Sequence, residues 1–127
     1  MVVGIGTDIV RIDRIERSLQ KFGTGFAERV LTPAELEEFN KANKPATFLA
    51  KRFAVKEAAS KALGTGIGDG VSFQHIYVEH DALGAPLLRL CERAKEIAAG
   101  RGATDYLVTL SDEKDYVVAF VVLSTRC

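Results

Sequence analysis

Asp8, Glu57 and Lys61 are the residues whose types and spacing could do chemistry. Asp8 ends the short apolar run Val2-Val-Gly-Ile-Gly-Thr-Asp8, and Glu57 and Lys61 stand one helical turn apart between Phe48 and Leu63. A hard divalent cation such as Mg²⁺ takes one or two protein carboxylates and leaves its other positions to water and phosphate oxygens. A lysine beside two such carboxylates would neutralise a phosphate. Any α+β protein holds an Asp and a Glu, so the residues alone lead no further than a candidate Mg²⁺–phosphate site. Glu57 and Lys61 also read as an i,i+4 surface pair contributing about 0.2–0.5 kcal/mol. The small side chains around them argue against that reading, because they leave room above the pair.

Two elements must position these groups. Residues 48–63 read as one helix of about four turns, with Thr47 able to cap it and Gly64 stopping it. Phe48, Val55, Ala59 and Ala62 share a face. Glu57 and Lys61 point the other way, with Phe53, Ala50 and Ala54, and Arg52 and Lys56 lie on a flank. A helix apolar around most of its circumference is expected to be largely buried. The second element is the strand from Val2, where Gly4 and Gly6 allow another backbone to approach closely. As a dinucleotide fingerprint that glycine pair is weak, since position 9 is Ile. The run Gly64–Gly70 follows a helix and precedes a strand, the reverse of a phosphate-binding P-loop or Rossmann turn. Its four glycines still suit a backbone that wraps closely on a ligand.

The remaining elements follow from local signals. Asp13 with Glu16 resembles a capping box, and Ile12, Ile15, Leu19 and Phe22 form one apolar face up to Gly23. Arg14, Arg17 and Lys21 lie opposite as a basic stripe, either a solvated face or a dock for an acidic helix or phosphate. Residues 25–31 read as a short helical turn. Thr32-Pro-Ala-Glu35 starts another helix that carries Leu36 and Phe39 inward and ends near Pro45. Val71–Val78 is strand-like with a break between Phe73 and Ile76. A hairpin turn at 81–86 leads to a strand at 87–90, and a helix spans 91–99. A closing hairpin joins strands 106–110 and 116–123. His75 and His80 have no metal-ligand partner nearby and read as structural or exposed.

The chain has 127 residues, enough for a single domain over 1–127 that buries a core without staples. Composition is that of a globular protein, 47% hydrophobic and 27% charged. The 17 basic residues balance the 17 acidic ones, so net charge does not argue for nucleic acid. Cys91 and Cys127 lack metal spacing and read as reduced thiols of a cytosolic protein. Neither a leader nor a segment near the ~20 apolar residues of a membrane span is expected.

Gly6-Thr-Asp8-Ile-Val with Arg14, followed by Phe53-Ala-Val-Lys-Glu57-Ala-Ala-Ser-Lys61 and Gly64-Thr-Gly66, is similar to the holo-acyl-carrier-protein synthases. These are the small, bacterial-type phosphopantetheinyl transferases. The resemblance runs nearly end to end, through Arg29-Val-Leu-Thr32, Leu83-Gly-Ala-Pro86 and Val108-Thr-Leu-Ser111. It implies an α+β 4′-phosphopantetheinyl transferase fold, an antiparallel sheet packed around a long central helix. It also implies transfer of 4′-phosphopantetheine from coenzyme A to a serine of apo acyl carrier protein, with release of 3′,5′-ADP, in fatty acid biosynthesis. Mg²⁺ or Mn²⁺ is implied, held by Asp8 and Glu57, with Lys61 beside the reacting phosphate. Either Glu57 or a metal-bound water would take the serine proton. Arg52, Lys61, Gly64, Thr65 and Gly66 would meet coenzyme A, and Arg14, Arg17 and Lys21 the acidic helix of the carrier. The implied assembly is a cytoplasmic homotrimer with active sites between subunits, without nucleic acid or membrane partners. Many members have Ser-His at the final hairpin where this chain has Ser111-Asp112, so a histidine-dependent role there is in doubt.

Two readings from other classes compete with this transferase. One is a non-catalytic trimeric module that binds an acidic partner through the Arg14 stripe. The other is a Mg²⁺-dependent phosphohydrolase using the same carboxylates.

Overall fold

The structure, a computed structural model, describes residues 1–126. In chain order the elements are β1 (Val2–Arg11), α1 (Ile12–Phe22), α2 (Thr24–Val30), α3 (Pro33–Lys41) and α4 (Pro45–Leu63). A 3₁₀ turn (Phe73–His75), β2 (Ile76–His80), β3 (Pro86–Leu90), α5 (Glu92–Gly100), β4 (Asp105–Asp112) and β5 (Tyr116–Ser124) follow. The strands form an antiparallel three-stranded sheet of order β1-β5-β4 and a separate β2–β3 hairpin. The expected α+β arrangement around a long central helix is what the chain adopts: α4 packs on the inner face of the larger sheet, against β1 and β5.

β1 meets α4 unusually closely, as Gly4 and Gly6 suggested. A Cβ on Gly4 would collide with the carbonyl oxygen of Ala62, and one on Gly6 with the carbonyl oxygen of Ala58. Small residues on both sides bring the two backbones into contact. This corrects one sequence reading: the small residues around Glu57 do not leave an open floor. Ala58 and Ala62 make room for β1, and Ala50 and Ala54 are fully buried. Eleven of the nineteen residues of α4 are buried.

Several boundaries differ from expectation. α4 starts at Pro45, not at a Thr47 cap; Lys44 is its N-cap and contributes no side-chain hydrogen bond. Proline suits the first helical position because its missing N–H has no intrahelical partner there. α1 likewise starts without an Asp13 cap, growing directly out of β1 with Arg11 at the N-cap. Asp13 instead accepts from Arg11 at 2.9 Å and lies 3.9 Å from Arg17, so the basic stripe is not free of acids. The break after Phe73 is a 3₁₀ turn and not a bulge, which places His75 outside β2, its Nδ1 accepting from the Ser72 amide. His80 is exposed at the end of β2. Cys91 is a free thiol at the N-cap of α5; the reading of Cys127 lies outside the described residues.

The Thr32 capping box forms as read: the Glu35 amide donates to Thr32 Oγ1, and the Thr32 amide to Glu35 Oε1. Glu35 also does something its sequence context does not announce. It is buried, its Oε1 accepts from Lys56 Nζ at 2.7 Å, and its Oε2 accepts from the Val78 amide at 3.3 Å. Lys56 Nζ further donates to the carbonyls of Val30 and Phe73. One ammonium thereby ties α4 to α2, α3 and the 3₁₀ turn. Burial draws the Lys56 pKa below its ordinary value, and the Glu35 charge opposes that shift.

Candidate functional site

The crossing of β1 over α4 brings Asp8 and Lys61 together across 53 positions of sequence. Lys61 Nζ donates to Asp8 Oδ1 at 3.0 Å and to the Thr7 carbonyl at 3.0 Å. The alternation of β1 explains the geometry. Gly4, Gly6, Asp8 and Val10 face α4, while Ile5, Thr7 and Ile9 face outward, the last three all exposed. Asp8 is therefore the first residue after the glycine pair to present a side chain to the helix.

Glu57 lies one turn before Lys61 on α4 and is half-buried. Its carboxyl is raised above the ordinary range, first by burial and then by the negative charge of Asp8, with Lys61 and Arg14 opposing. The alternative reading, an i,i+4 bridge to Glu57, does not form; the Lys61 ammonium bridges to Asp8 instead. The charge of Asp8 thus acts on Glu57, while the one ammonium bonded in the site sits on Asp8.

The donor set suits a hard cation. No group of three His, Cys, Asp or Glu side chains gathers anywhere among the described residues. Two carboxylate residues without soft ligands match Mg²⁺ or Mn²⁺, which share their coordination with water and phosphate oxygens.

The loop after α4 leaves this site directly. Gly64 caps the helix in the left-handed region, φ 85°, and its amide donates to the carbonyl of Lys61. Thr65 and Gly66 follow, their amides both donating to the carbonyl of Ser60. Beside Lys61 an open hollow of about 340 Å³ is lined by Ile5, Gly6, Thr7 and Phe120.

Arg14 joins the site from α1: its guanidinium lies 5.8 Å from the centre of the Phe53 ring and its charge acts on Glu57. Arg17 and Lys21 extend away along α1, Lys21 over the Phe22 ring at 5.2 Å. Arg52 does not join. It lies nine residues before Lys61, about 13 Å along the helix axis. It is buried over the Phe48 ring at 4.5 Å, with Nε 3.3 Å from Glu35 Oε2 but without a hydrogen bond. Arg52 lines a second hollow of about 230 Å³ with Lys51, His80, Pro86 and Asp112. A further hollow of about 740 Å³ adjoins this end of α4 and is lined by Lys44, Lys51, Asp112 and Lys114 among others. Asp112, where a histidine was at issue, lies 3.7 Å from Lys51.

Comparison with known proteins shows which proteins the chain is similar to. Residues 4–121 match the 4′-phosphopantetheinyl transferase superfamily. The holo-[acyl-carrier-protein] synthase of Halorhodospira halophila is 51% identical over 125 residues, 98% of this chain and 99% of that protein. The crystal structure of the Neisseria meningitidis holo-[acyl-carrier-protein] synthase superposes with a TM-score of 0.92 at 50% identity, covering 98% of this chain and 100% of the other. The Bacillus anthracis synthase, solved in complex with CoA (3′,5′-ADP), gives a TM-score of 0.82 at 39% identity, covering 99% of both chains.

Proposed function

The chain belongs to the 4′-phosphopantetheinyl transferase superfamily, among the holo-[acyl-carrier-protein] synthases, and from that premise we propose how its residues perform the transfer. It is a transferase that moves the 4′-phosphopantetheine group of coenzyme A onto a serine of apo acyl carrier protein, releasing 3′,5′-ADP. The convergence of Asp8, Glu57 and Lys61 at the crossing of β1 and α4 carries this reading.

Asp8 and Glu57 would hold Mg²⁺, or Mn²⁺ in its place. The ion, when bound, would supply Lewis-acid charge toward the coenzyme A pyrophosphate. Lys61 takes up charge on the phosphate as the bridging bond breaks, which is the main demand of a phosphoryl-type transfer. Among the chain's own groups Glu57 is the candidate to accept the carrier serine's proton. Gly64, Thr65 and Gly66 line the coenzyme A, with little side chain to keep the cofactor off the backbone. Arg14, Arg17 and Lys21 dock the acidic helix of the carrier protein.

The enzyme works as a single domain in a cytoplasmic homotrimer that serves fatty acid biosynthesis, with active sites between subunits. The outer face of the β1-β5-β4 sheet supports the assembly. It exposes Ile5, Ile9, Leu107 and Phe120, a contiguous apolar set that borders the hollow beside Lys61. Apolar patches of this kind mark interaction sites. A shared site also gives Arg52 a place: one subunit's Arg52 hollow and its neighbour's Asp8, Glu57 and Lys61 together receive a single coenzyme A. No helix among the described residues is long and apolar enough to cross a membrane. The test is release of 3′,5′-ADP from coenzyme A, which must require both apo carrier and Mg²⁺. Release of phosphate without carrier would favour a hydrolase.

A further inference from the structure

Lys61 is more than a phosphate ligand waiting for its substrate. Its ammonium is bonded to the carboxylate that the proposed metal needs, Asp8 Oδ1 at 3.0 Å. The side chain is 52% exposed and that of Asp8 only 17%. The partner free to move is therefore the lysine, on a stem with several free rotations. Its two acceptors in the protein, Asp8 and the Thr7 carbonyl, are neighbours within β1 and are left together when it swings out.

Resting on the metal reading above, we infer that Lys61 is a resident counter-cation that competes with the divalent ion for Asp8 and is drawn off it by the pyrophosphate. Without coenzyme A, the ammonium on Asp8 Oδ1 offsets the repulsion between Asp8 and Glu57 and opposes binding of the ion there. With coenzyme A, the phosphate offers Lys61 a better acceptor, and Asp8 is released to the cation. Metal and coenzyme A thus bind cooperatively, and Lys61 carries part of the coupling. The device suits a site with only two carboxylates, because it disfavours metal binding in the absence of substrate. By reciprocity, the metal strengthens coenzyme A binding by the same factor.

Titration of Mn²⁺ by electron paramagnetic resonance, with and without coenzyme A, tests this apart from turnover. The proteins are wild type, Lys61→Met and Asp8→Asn. Lys61→Met keeps the stem and removes the charge at a half-exposed position, so it is expected to fold. Without coenzyme A, Lys61→Met should bind Mn²⁺ about tenfold more tightly than wild type or better. Repulsion between a divalent ion and a nearby ammonium exceeds that even in water-like screening. The tightening of Mn²⁺ binding by coenzyme A should be smaller in Lys61→Met than in wild type. Equal or weaker Mn²⁺ binding by Lys61→Met without coenzyme A overturns the inference, provided Asp8→Asn has lost the ion. If Asp8→Asn binds Mn²⁺ as wild type does, the metal reading itself fails and the inference with it.

Discussion

Gly6 of β1 lies against Ala58 of α4 with no room between them for a methyl group. A Cβ at position 6 would collide with the Ala58 carbonyl oxygen and come within 2.7 Å of the Ala62 amide nitrogen. Both neighbours are backbone, so neither can move aside alone. This contact sets the height at which Asp8 stands over Lys61 and Glu57.

Gly6→Ala is therefore expected to lift β1 away from the helix. Overpacking of this kind costs about 1–3 kcal/mol. Displacement of Asp8 by about 1 Å can cost about a hundredfold in rate. Thermal unfolding and the transfer rate check this together. Wild-type values for both would show that the close crossing does not position the site.

Glu57→Gln should abolish transfer while leaving the metal-free fold slightly more stable at neutral pH. Burial and Asp8 raise the folded carboxyl's pKa above the ordinary value of 4.5. Below that ordinary value the group is protonated in both states and costs nothing. As pH rises through it, the unfolded chain releases the proton first, so the ionised group works against the fold. The advantage of the variant should therefore appear as pH rises from the ordinary value through the raised one, and vanish below it. Denaturant midpoints of both proteins across that range, without divalent ions, make the check. A variant less stable than wild type at neutral pH would contradict the sign.

Arg14→Glu should raise the Michaelis constant for the carrier by about tenfold at low salt, and the reversed charge beside Glu57 should lower turnover as well. A charge reversal in a docking patch acts on encounter and partner choice. The difference should shrink as salt screens it. An unchanged carrier Michaelis constant at low ionic strength would remove Arg14 from the docking surface.

Phe120→Glu places a charge in the middle of the outer sheet face, opposite Thr7 on one side and Thr109 on the other. Wild type should sediment as a trimer and the variant as a smaller species with reduced transfer. A wild-type monomer, or an unaltered trimer in the variant, would show that this face is not the interface.

Much of this arrangement was legible in the sequence where the signal is local. The Thr32–Glu35 box, the Gly64 stop and the final hairpin each declare themselves within a few residues. The glycine pair announced a close backbone approach, though not which helix would supply it. Pro45 was ambiguous because proline both ends helices and begins them, and only packing decides between the two. The second task of Glu35 was hidden by its first. A capping box accounts for a glutamate at that position, and Lys56 arrives from 21 residues away. Nor could spacing distinguish the two partners of Lys61. The i,i+4 rule favours Glu57, yet the structure gives the ammonium to Asp8, on a strand that the rule cannot see.

The account stands most directly on the mass of the carrier. Apo acyl carrier protein incubated with this enzyme, coenzyme A and Mg²⁺ should gain one phosphopantetheine group on a single serine by mass spectrometry. It should gain none with Glu57→Gln or after chelation of the metal. A carrier of unchanged mass with wild type, or full modification by Glu57→Gln, would contradict the assignment of Asp8, Glu57 and Lys61 as the centre of the transfer.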